Sequence, residues 1–466
     1  MKADMKNCSL RSPIGKAATP GRFLQVMFCL CLLTWPIARA QGGWEQVDEI
    51  LARIKAPQFP KRDFLITDYG AVADNERDCT DAFRRAISAA HEAGGGRVVV
   101  PPGSFLTGPI HLRSNVNLFV SDGAIINFLP DPNKYMPVVY SRVGGVECMN
   151  YSPLVYAYEQ QNIAITGQGI LNGQASDQNW WQWKNTEAPD IKTLESQGQE
   201  RLPVGQRVFG APRQLRPTMI QPYKCTNVLI EGVTVRNSPM WHINPVLSTN
   251  VIVRNVKVVG HGPNNDGCNP ESCRDVLIEG CYFDTGDDCI AVKSGRNSDG
   301  RRVNVPSENI VIRNCRMRDG HGGVVIGSET SGGVRNVFAE NCRMDSPNLD
   351  RGLRIKSNSV RGGTVENVYL RNITIGQVAE AVLRIDLLYG EGDAGGFVPI
   401  IRNINMENVT SKKSKYALFI TGYERAPATG IYLTDCTFDN VEKPNVMIGA
   451  KDLILTNVKI NGQVEQ

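Results

Sequence analysis

Three aspartates and a histidine in the middle of the chain have a spacing that could bring them together. Asp266 and Asp288 each lie six residues before a serine, and Asp287 and His321 each lie seven residues before one. The serines that align these segments are Ser272, Ser294, Ser328 and Ser357. If the segments stack as parallel strands, residues in one column lie about 4.8 Å apart. Three carboxylates and an imidazole would then share one patch.

Such a patch could hydrolyse a glycosidic bond. Crowded carboxyl groups cannot all ionise, so one of Asp266, Asp287 and Asp288 should keep its proton to a higher pH. A protonated carboxyl group can donate to the leaving oxygen, while an ionised one activates water or attacks carbon. A single Asp or His here would more simply be a turn residue, so the hypothesis depends on the joint alignment.

Two cations follow the acidic residues along the chain. Arg354 and Lys356 are separated by one residue, so on a strand both side chains point to the same face. They could simply neutralise the acidic patch. They could also bind a carboxylate of the substrate, for which the arginine fork is well shaped. A sugar acid explains both the acids and the cations, whereas a neutral sugar leaves the cations unexplained.

The elements that must position these residues form a repeat. A residue followed by alternating aliphatic residues begins each of nine units: Asn227, Asn250, Asp275, Asn309, Asn336, Asn367, Asn403, Gly430 and Asp452. Five residues later comes a second small polar residue or glycine: Gly232, Asn255, Gly280, Asn314, Asn341, Asn372, Asn408, Asp435 and Asn457. The starts are separated by 22 to 36 residues, which is typical of a solenoid whose loops differ in length.

This pattern predicts an all-β fold, a right-handed parallel β-helix. Leucine-rich repeats are the alternative, but the regular leucines and the helix of that repeat are missing. Helical spacing predicts a short helix over residues 44–54 and a second helix from Thr80 that covers the open end of the solenoid. After Gly96 the sequence predicts strands and no further helix. Residues 41–466 should form a single catalytic domain.

The first forty residues resemble a secretory signal peptide, cut after Ala40. They combine basic residues, a short apolar run at 23–33 and small residues before the cleavage site. An uncleaved anchor is the alternative, although the run is too short for a permanent span. We therefore expect a secreted or periplasmic protein with no stable membrane insertion.

The charge balance argues against nucleic acid as a partner. The net charge of the whole chain is +4, but residues 1–40 contain six basic residues and one acidic residue. The remainder carries 45 basic and 46 acidic residues. The basic character therefore belongs to the export signal and not to a binding surface.

Four short motifs resemble those of the polygalacturonases, glycoside hydrolase family 28. In chain order they are Asn264, Asn265, Asp266; Gly286, Asp287, Asp288; Gly320, His321, Gly322; and Arg354, Ile355, Lys356. The family usually has threonine at the position of Asn265. The resemblance extends over nearly the whole chain after the signal, and the four motifs in this order are specific together.

The resemblance implies hydrolysis of α-1,4-galacturonosidic bonds in pectin with inversion. It implies that Asp287 is the general acid, that Asp266 and Asp288 hold and activate water, and that His321 tunes or relays the proton of Asp287. Arg354 and Lys356 would bind the galacturonate carboxylate. Stacking alone gives carboxylates about 5 Å apart, a spacing usual for retaining enzymes. The resemblance implies inversion nevertheless.

Several alternatives stay open. A pectate lyase shares the β-helix but eliminates, typically with calcium, and a rhamnogalacturonan hydrolase shares the scaffold. A polysaccharide-binding solenoid without activity belongs to another class of function. The long segments 134–158 and 172–213 could block one end of a cleft, which favours exo action. We predict no cofactor and no metal, a pectic substrate and a monomer.

The tryptophans and the cysteines form two further groups of closely spaced or regularly placed residues. Trp180, Trp181 and Trp183 could form a sugar-stacking platform or pack a loop. Cys281, Cys315, Cys342 and Cys436 follow the same repeat position, which predicts an inward-facing stack more than a disulfide framework.

Overall fold

The bends between strands occur at the residues that define the sequence repeat. All nine unit starts, and all nine residues five positions later, have φ between 51° and 80° in the computed structural model. Asparagine, aspartate and glycine tolerate this left-handed conformation better than other residues. The same conformation occurs earlier, at Asn115 and Asn162. The coils therefore begin before the first repeat that the sequence pattern identifies.

Asparagine side chains stack along one row of these bends. The amide of Asn250 donates to Asn227 at 2.6 Å, and that of Asn227 donates to Asn162 at 2.8 Å. Further along, Asn336 donates to Asn309 at 3.1 Å and Asn367 donates to Asn336 at 3.0 Å. Each amide both donates and accepts, so the row satisfies its own polar groups.

The structure describes residues 43–465, and twenty-five of the described strands form one sheet with two parallel ladders. The first ladder contains Asp63–Leu65, Gly96–Val100, Val116–Val120, Gln161–Gly167, Thr226–Glu231, Thr249–Arg254, Arg274–Glu279, Ser307–Arg313, Val334–Glu340, Thr364–Ile375, Ile400–Ser411, Ala428–Thr434 and Ala450–Thr456. Aliphatic side chains alternate inward along these strands and fill a continuous core.

The second ladder shares the strands Thr364–Ile375 and Ile400–Ser411 with the first. Its other parallel strands are Asp74–Asp78, Gly103–Thr107, Ala124–Phe128, Ile170–Asn172, Thr234–Arg236, Lys257–Gly260, Tyr282–Thr285, Arg316–Met317, Arg343–Met344, Thr437–Phe438 and Val458–Ile460. The last strand, Gln463–Glu465, runs antiparallel to Val458–Ile460.

A third side of the coil carries two smaller parallel sheets, and we call this side the site face. Its strands are Ile110–His111, Val155–Tyr158 and Ile220–Tyr223 in one sheet, and Ile290–Val292, Val324–Gly327, Arg351–Lys356, Ala381–Asp386, Tyr416–Thr421 and Val446–Ile448 in the other. Single bridges from Ile220 through Ile243 and Cys268 to Ile290 connect the two sheets. The register is therefore continuous across the site face.

Four α-helices occur among the described residues: α1 (Glu45–Arg53), α2 (Thr80–Glu92), α3 (Ala188–Gln199) and α4 (Asn297–Val303). The 3₁₀ turns are Ile66–Tyr69, Pro132–Tyr135, Trp180–Asn185 and Val204–Gln206. Helix α2 buries Phe83 and Ile87 in the main core, as expected of the predicted cap. Helix α1 packs on an outer face of the first ladder.

Helices α3 and α4 contradict the prediction that no helix follows Gly96. In α3 the buried positions are Asp190, Leu194 and Gly198, so the sequence of this helix contains almost no apolar stripe. Helix α4 has only seven residues. Hydrophobic periodicity cannot detect helices that are held by polar contacts or are this short.

The long insertions fold onto the coils. Strands Val139–Val143 and Val146–Asn150 form an antiparallel hairpin. Arg207 forms an ion pair with Asp299 of α4 at 2.7 Å, with both side chains almost fully buried. The insertions are therefore packed against the coils by buried contacts.

The described residues belong to one compact unit, whereas the predicted signal peptide, residues 1–40, lies outside the described part. None of the helices that the structure describes is long and apolar enough to cross a bilayer. All cysteines in this part of the chain are buried and unpaired, including Cys281, Cys315, Cys342 and Cys436. This agrees with the predicted inward-facing stack.

Candidate active site

The register of the site face brings the predicted acids together. Cys268 pairs with Ile290, and Ile290 pairs with Val324. These pairings place Asp266 beside Asp288 and Asp287 beside His321. The backbone agrees, since the amide of His321 donates to the carbonyl of Asp287 at 3.1 Å.

Asp287 and His321 form the exposed part of the cluster. Nδ1 of His321 lies 3.0 Å from Oδ1 of Asp287, and the His321 side chain is 51% exposed, compared with 17% for Asp287. The hydrogen bond with Asp287 raises the pKa of His321 above its ordinary value. Burial opposes ionisation of Asp287, but the hydrogen bond with His321 and the charge of Lys356 outweigh it, so the pKa of Asp287 is lowered.

Asp266 is almost fully buried, as is Asp288. It accepts a hydrogen bond from Nδ2 of Asn269 at 2.8 Å, and Nζ of Lys293 lies 3.5 Å away. Burial, followed by the negative charge of Asp287, raises the pKa of Asp266 well above its ordinary value. The expectation that one carboxyl group keeps its proton to a higher pH therefore applies to Asp266.

Asp288 is held by the two predicted substrate-binding cations. Nζ of Lys356 lies 2.7 Å from its carboxylate, and Nη1 of Arg354 lies 3.4 Å away. The ring of Tyr389 covers both cations at 5.4 and 5.3 Å from its centroid. The cations therefore neutralise part of the acidic patch, as one of the two sequence-based interpretations expected.

The sequence alignment missed three charged residues behind the acids, which are Glu271, Lys293 and Glu329. Nζ of Lys293 lies 3.0 Å from Oε2 of Glu329, in addition to its contact with Asp266. Glu271 pairs with Lys293 across the site face. Glu271, Lys293 and Lys356 each lie one residue before an aligned serine, so the same alignment could have identified this column.

A known family matches the chain over the coils that carry these residues. The family described as glycosyl hydrolases family 28 matches residues 145–459, more than half of the chain. The chain belongs to glycosyl hydrolases family 28. The predicted resemblance and the prediction of a glycoside hydrolase are both confirmed. Membership of family 28 favours hydrolysis over the lyase and the non-enzymatic solenoid.

Relatives of known name cover most of the chain. A probable polygalacturonase of Vitis vinifera is 30% identical over 390 residues, which cover 80% of this chain and 73% of that protein. An exo-poly-alpha-D-galacturonosidase of Dickeya chrysanthemi is 29% identical over 357 residues, which cover 70% of this chain and 57% of that protein.

A solved structure matches nearly the full described fold. The hyperthermoactive exopolygalacturonase of Thermotoga maritima is 44% identical, with a TM-score of 0.88 over 91% of this chain and 97% of that one. This likeness confirms the predicted right-handed parallel β-helix.

The tryptophans of this family 28 protein pack the loop and do not form a flat platform. Trp180 is buried and lies edge-on to Trp183, with ring centroids 4.9 Å apart. Nε1 of Trp181 donates to the carbonyl of Ser238 at 2.9 Å. The packing interpretation is therefore the one that the contacts support.

One group with metal-ligand spacing occurs among the described residues, and it includes none of the predicted catalytic acids. The ligand atoms of His261, Asp284 and Asp319 lie within 4.8 Å of one another. Nη1 of Arg318 already lies 3.2 Å from Asp284. A cation there would compete with the guanidinium, and the cluster supplies no group to the acidic patch.

Proposed function

We propose that this family 28 enzyme hydrolyses α-1,4-galacturonosidic bonds of polygalacturonate by an inverting acid and base mechanism. The observation that carries the proposal is the contact of Asp288 with both Arg354 and Lys356. It joins the hydrolytic acids to a pair of cations in one patch. A polymer whose every sugar carries a carboxylate fits that combination. The names of the similar proteins support the same substrate.

The substrate carboxylate would change the charge of the site. When it binds Arg354 and Lys356, a further negative charge lies near the three aspartates. Like charges raise the pKa of a carboxyl group, so Asp287 gains affinity for a proton. His321 lies 3.0 Å away and, as an imidazolium, supplies that proton. Asp287 then acts as the general acid that the resemblance implied.

The chemical step uses the acids on both sides of the bond. Asp287 donates its proton to the glycosidic oxygen as the bond to the anomeric carbon breaks. A water held by Asp266 and Asp288 attacks that carbon from the opposite face and loses a proton to the ionised member of this pair. The products are a shortened chain and a galacturonate end of inverted configuration.

Exo action agrees with the folded insertions. The hairpin of strands Val139–Val143 and Val146–Asn150 and helix α3 are held to the coils by buried ion pairs, including Arg216 with Glu187 at 2.9 Å. Insertions packed along one side of the site face would admit a chain end more easily than a chain middle. The 44% identical exopolygalacturonase supports this preference.

Secretion and a monomeric state complete the proposal. Pectic polymers are outside the cell that degrades them, which agrees with the secretory signal predicted at residues 1–40.

A rhamnogalacturonan hydrolase remains the second candidate, but its neutral rhamnose would leave the pair Arg354 and Lys356 without a carboxylate at alternate sugars.

Product analysis tests the proposal. Purified enzyme is incubated with polygalacturonate, with methyl-esterified polygalacturonate and with rhamnogalacturonan, and products are sized over time and their anomeric configuration is followed by NMR. We expect early mono- or digalacturonate of inverted configuration from the unesterified polymer alone. A ladder of oligomers would exclude exo action, an unsaturated product would indicate a lyase, and preferential cleavage of rhamnogalacturonan would refute the proposed substrate.

A further inference from the structure

An arginine from the hairpin insertion reaches the back of the acid cluster. Arg142 lies in the strand Val139–Val143, and its side chain is fully buried. Its Nη1 donates to Oγ of Ser272 at 3.2 Å, and its Nε lies 3.5 Å from Oε1 of Glu271. The arginine and the residues it contacts are about 130 positions apart in the sequence.

Glu271 lies on the strand position next to the lysine that contacts Asp266. Glu271 and Lys293 are direct neighbours across the site face. Nζ of Lys293 lies 3.0 Å from Glu329, 3.2 Å from the carbonyl of Gly327 and 3.5 Å from Asp266. One ammonium group therefore faces more carboxylates than it can neutralise.

The buried carboxylate of Glu271 needs a counter-charge. Burial raises the pKa of Glu271, and the charge of Arg142 acts in the opposite direction. A fully buried carboxylate without a cation takes up a proton or attracts the nearest positive group. The other cation whose charge acts on Glu271 is Lys293, which already contacts Asp266 and Glu329.

We propose that Arg142 is a positioning residue for the reaction: by neutralising Glu271, it leaves Lys293 to hold the carboxylate of Asp266. The inference rests on the proposed role of Asp266 in activating water. Arg142 touches neither the substrate-binding cations nor the proton donor. It acts through two intermediates, Glu271 and Lys293.

Loss of Arg142 should change the pH dependence of the rate. The charged groups around Asp266 are Asp287, Lys293, Asp288 and Lys356. Glu271 is faced by Arg142, Glu329 and Lys293, and Arg142 is faced by Glu271, Tyr223, Glu147 and Asp299. If Lys293 turns towards an unpaired Glu271, Asp266 keeps its proton to a higher pH. The acidic limb of the kcat profile then moves to higher pH.

A double substitution separates this mechanism from a loss of packing. Arg142→Met should lower kcat on polygalacturonate by about tenfold and raise the pH of the acidic limb by about one unit. Adding Glu271→Gln removes the carboxylate that requires a counter-charge. The double variant should therefore recover kcat to within about threefold of the wild type, and its acidic limb should return to the wild-type pH. Arg142→Lys, which keeps the charge, should keep the wild-type limb.

Arg207→Met is the matched control. Arg207 is an almost equally buried arginine of the second insertion, and its ion pair is with Asp299 and not with Glu271. We expect this variant to unfold at a lower temperature but to keep the wild-type acidic limb. A shifted limb in Arg207→Met would overturn the proposal, because any buried arginine would then have the same effect.

The remaining outcomes are also decisive. If Arg142→Met folds and the double variant is no more active than it, Arg142 acts by packing alone and the proposal fails. If Arg142→Met does not fold, the double variant is compared with the wild type, and a loss of about tenfold or more refutes the proposal. Hydrolysis of polygalacturonate by the wild type is measured first, so failure of the proposed function is recognised separately.

Discussion

The asparagine row on one side of the coil and the charged columns on the site face are both built by stacking like residues on neighbouring coils. They differ in whether the stacked side chains attract or repel one another. In the row, Asn336 donates to Asn309 and accepts from Asn367. In the column, Asp266 lies beside Asp288. Lys293 contacts Asp266, and Lys356 contacts Asp288. Identical amides satisfy one another, whereas identical carboxylates repel. Stacking therefore stabilises the fold in one place and prepares proton transfer in the other.

The largest difference between the two regions should appear on changing an aspartate to asparagine. Asp287→Asn should lower kcat on polygalacturonate by about 10²–10⁴-fold, because the amide cannot donate a proton as an acid does. Asp275→Asn is the matched control, since Asp275 lies in the row and accepts from Asn309 at 3.0 Å. It should keep activity within about twofold. Equal losses in both variants would remove the distinction between row and column.

A smaller effect should follow from the removal of the titrating partner of Asp287. The hydrogen bond with Asp287 raises the pKa of His321 above its ordinary value, so the imidazolium is present below that raised pKa and is lost as pH rises through it. The alkaline limb of wild-type kcat/KM should therefore lie at a higher pH than the titration of an ordinary histidine. His321→Gln should lower the rate by about 10²-fold and abolish this limb. His91→Gln, at the end of α2, should leave the limb unchanged; a limb that persists in His321→Gln would exclude the relay.

The smallest effect on catalysis is expected in the row itself. Asn336 has φ of 57°, which alanine disfavours. Asn336→Ala should destabilise the protein by about 3 kcal/mol, from lost hydrogen bonds and left-handed strain. Asn336→Gly removes only the hydrogen bonds and should cost about half as much. Urea unfolding measures both, while kcat of the folded enzyme should not change; a fall of about tenfold would mean that the two regions are coupled.

The sequence predicted the columns because their register is set locally. Each cluster precedes its strand by the same number of residues, so the pairings at Cys268, Ile290 and Val324 follow once the coils stack. The left-handed bends were visible for the same reason, since asparagine and glycine mark them directly. This part of the fold depends on short spacings within one coil.

The contacts of the insertions were not visible in the sequence. Arg142 reaches Glu271 and Arg207 reaches Asp299 across long stretches of chain, and no repeat specifies such pairs. The protonation pattern was also hidden. The pKa shifts of Asp266 and Asp287 have opposite directions because of burial and nearby charges, which a column alignment does not contain.

The fixed five-residue interval between bends has a consequence for how such enzymes can be remodelled. Intervals between successive units range from 22 to 36 residues, yet the strands stay in register. Extra residues are accommodated in the loops beyond the ladders. Loops that border the substrate can therefore be lengthened, shortened or exchanged while the acidic residues of the site face keep their alignment. Chimeras between related enzymes should therefore tolerate swapped borders far better than a single residue inserted between two bends.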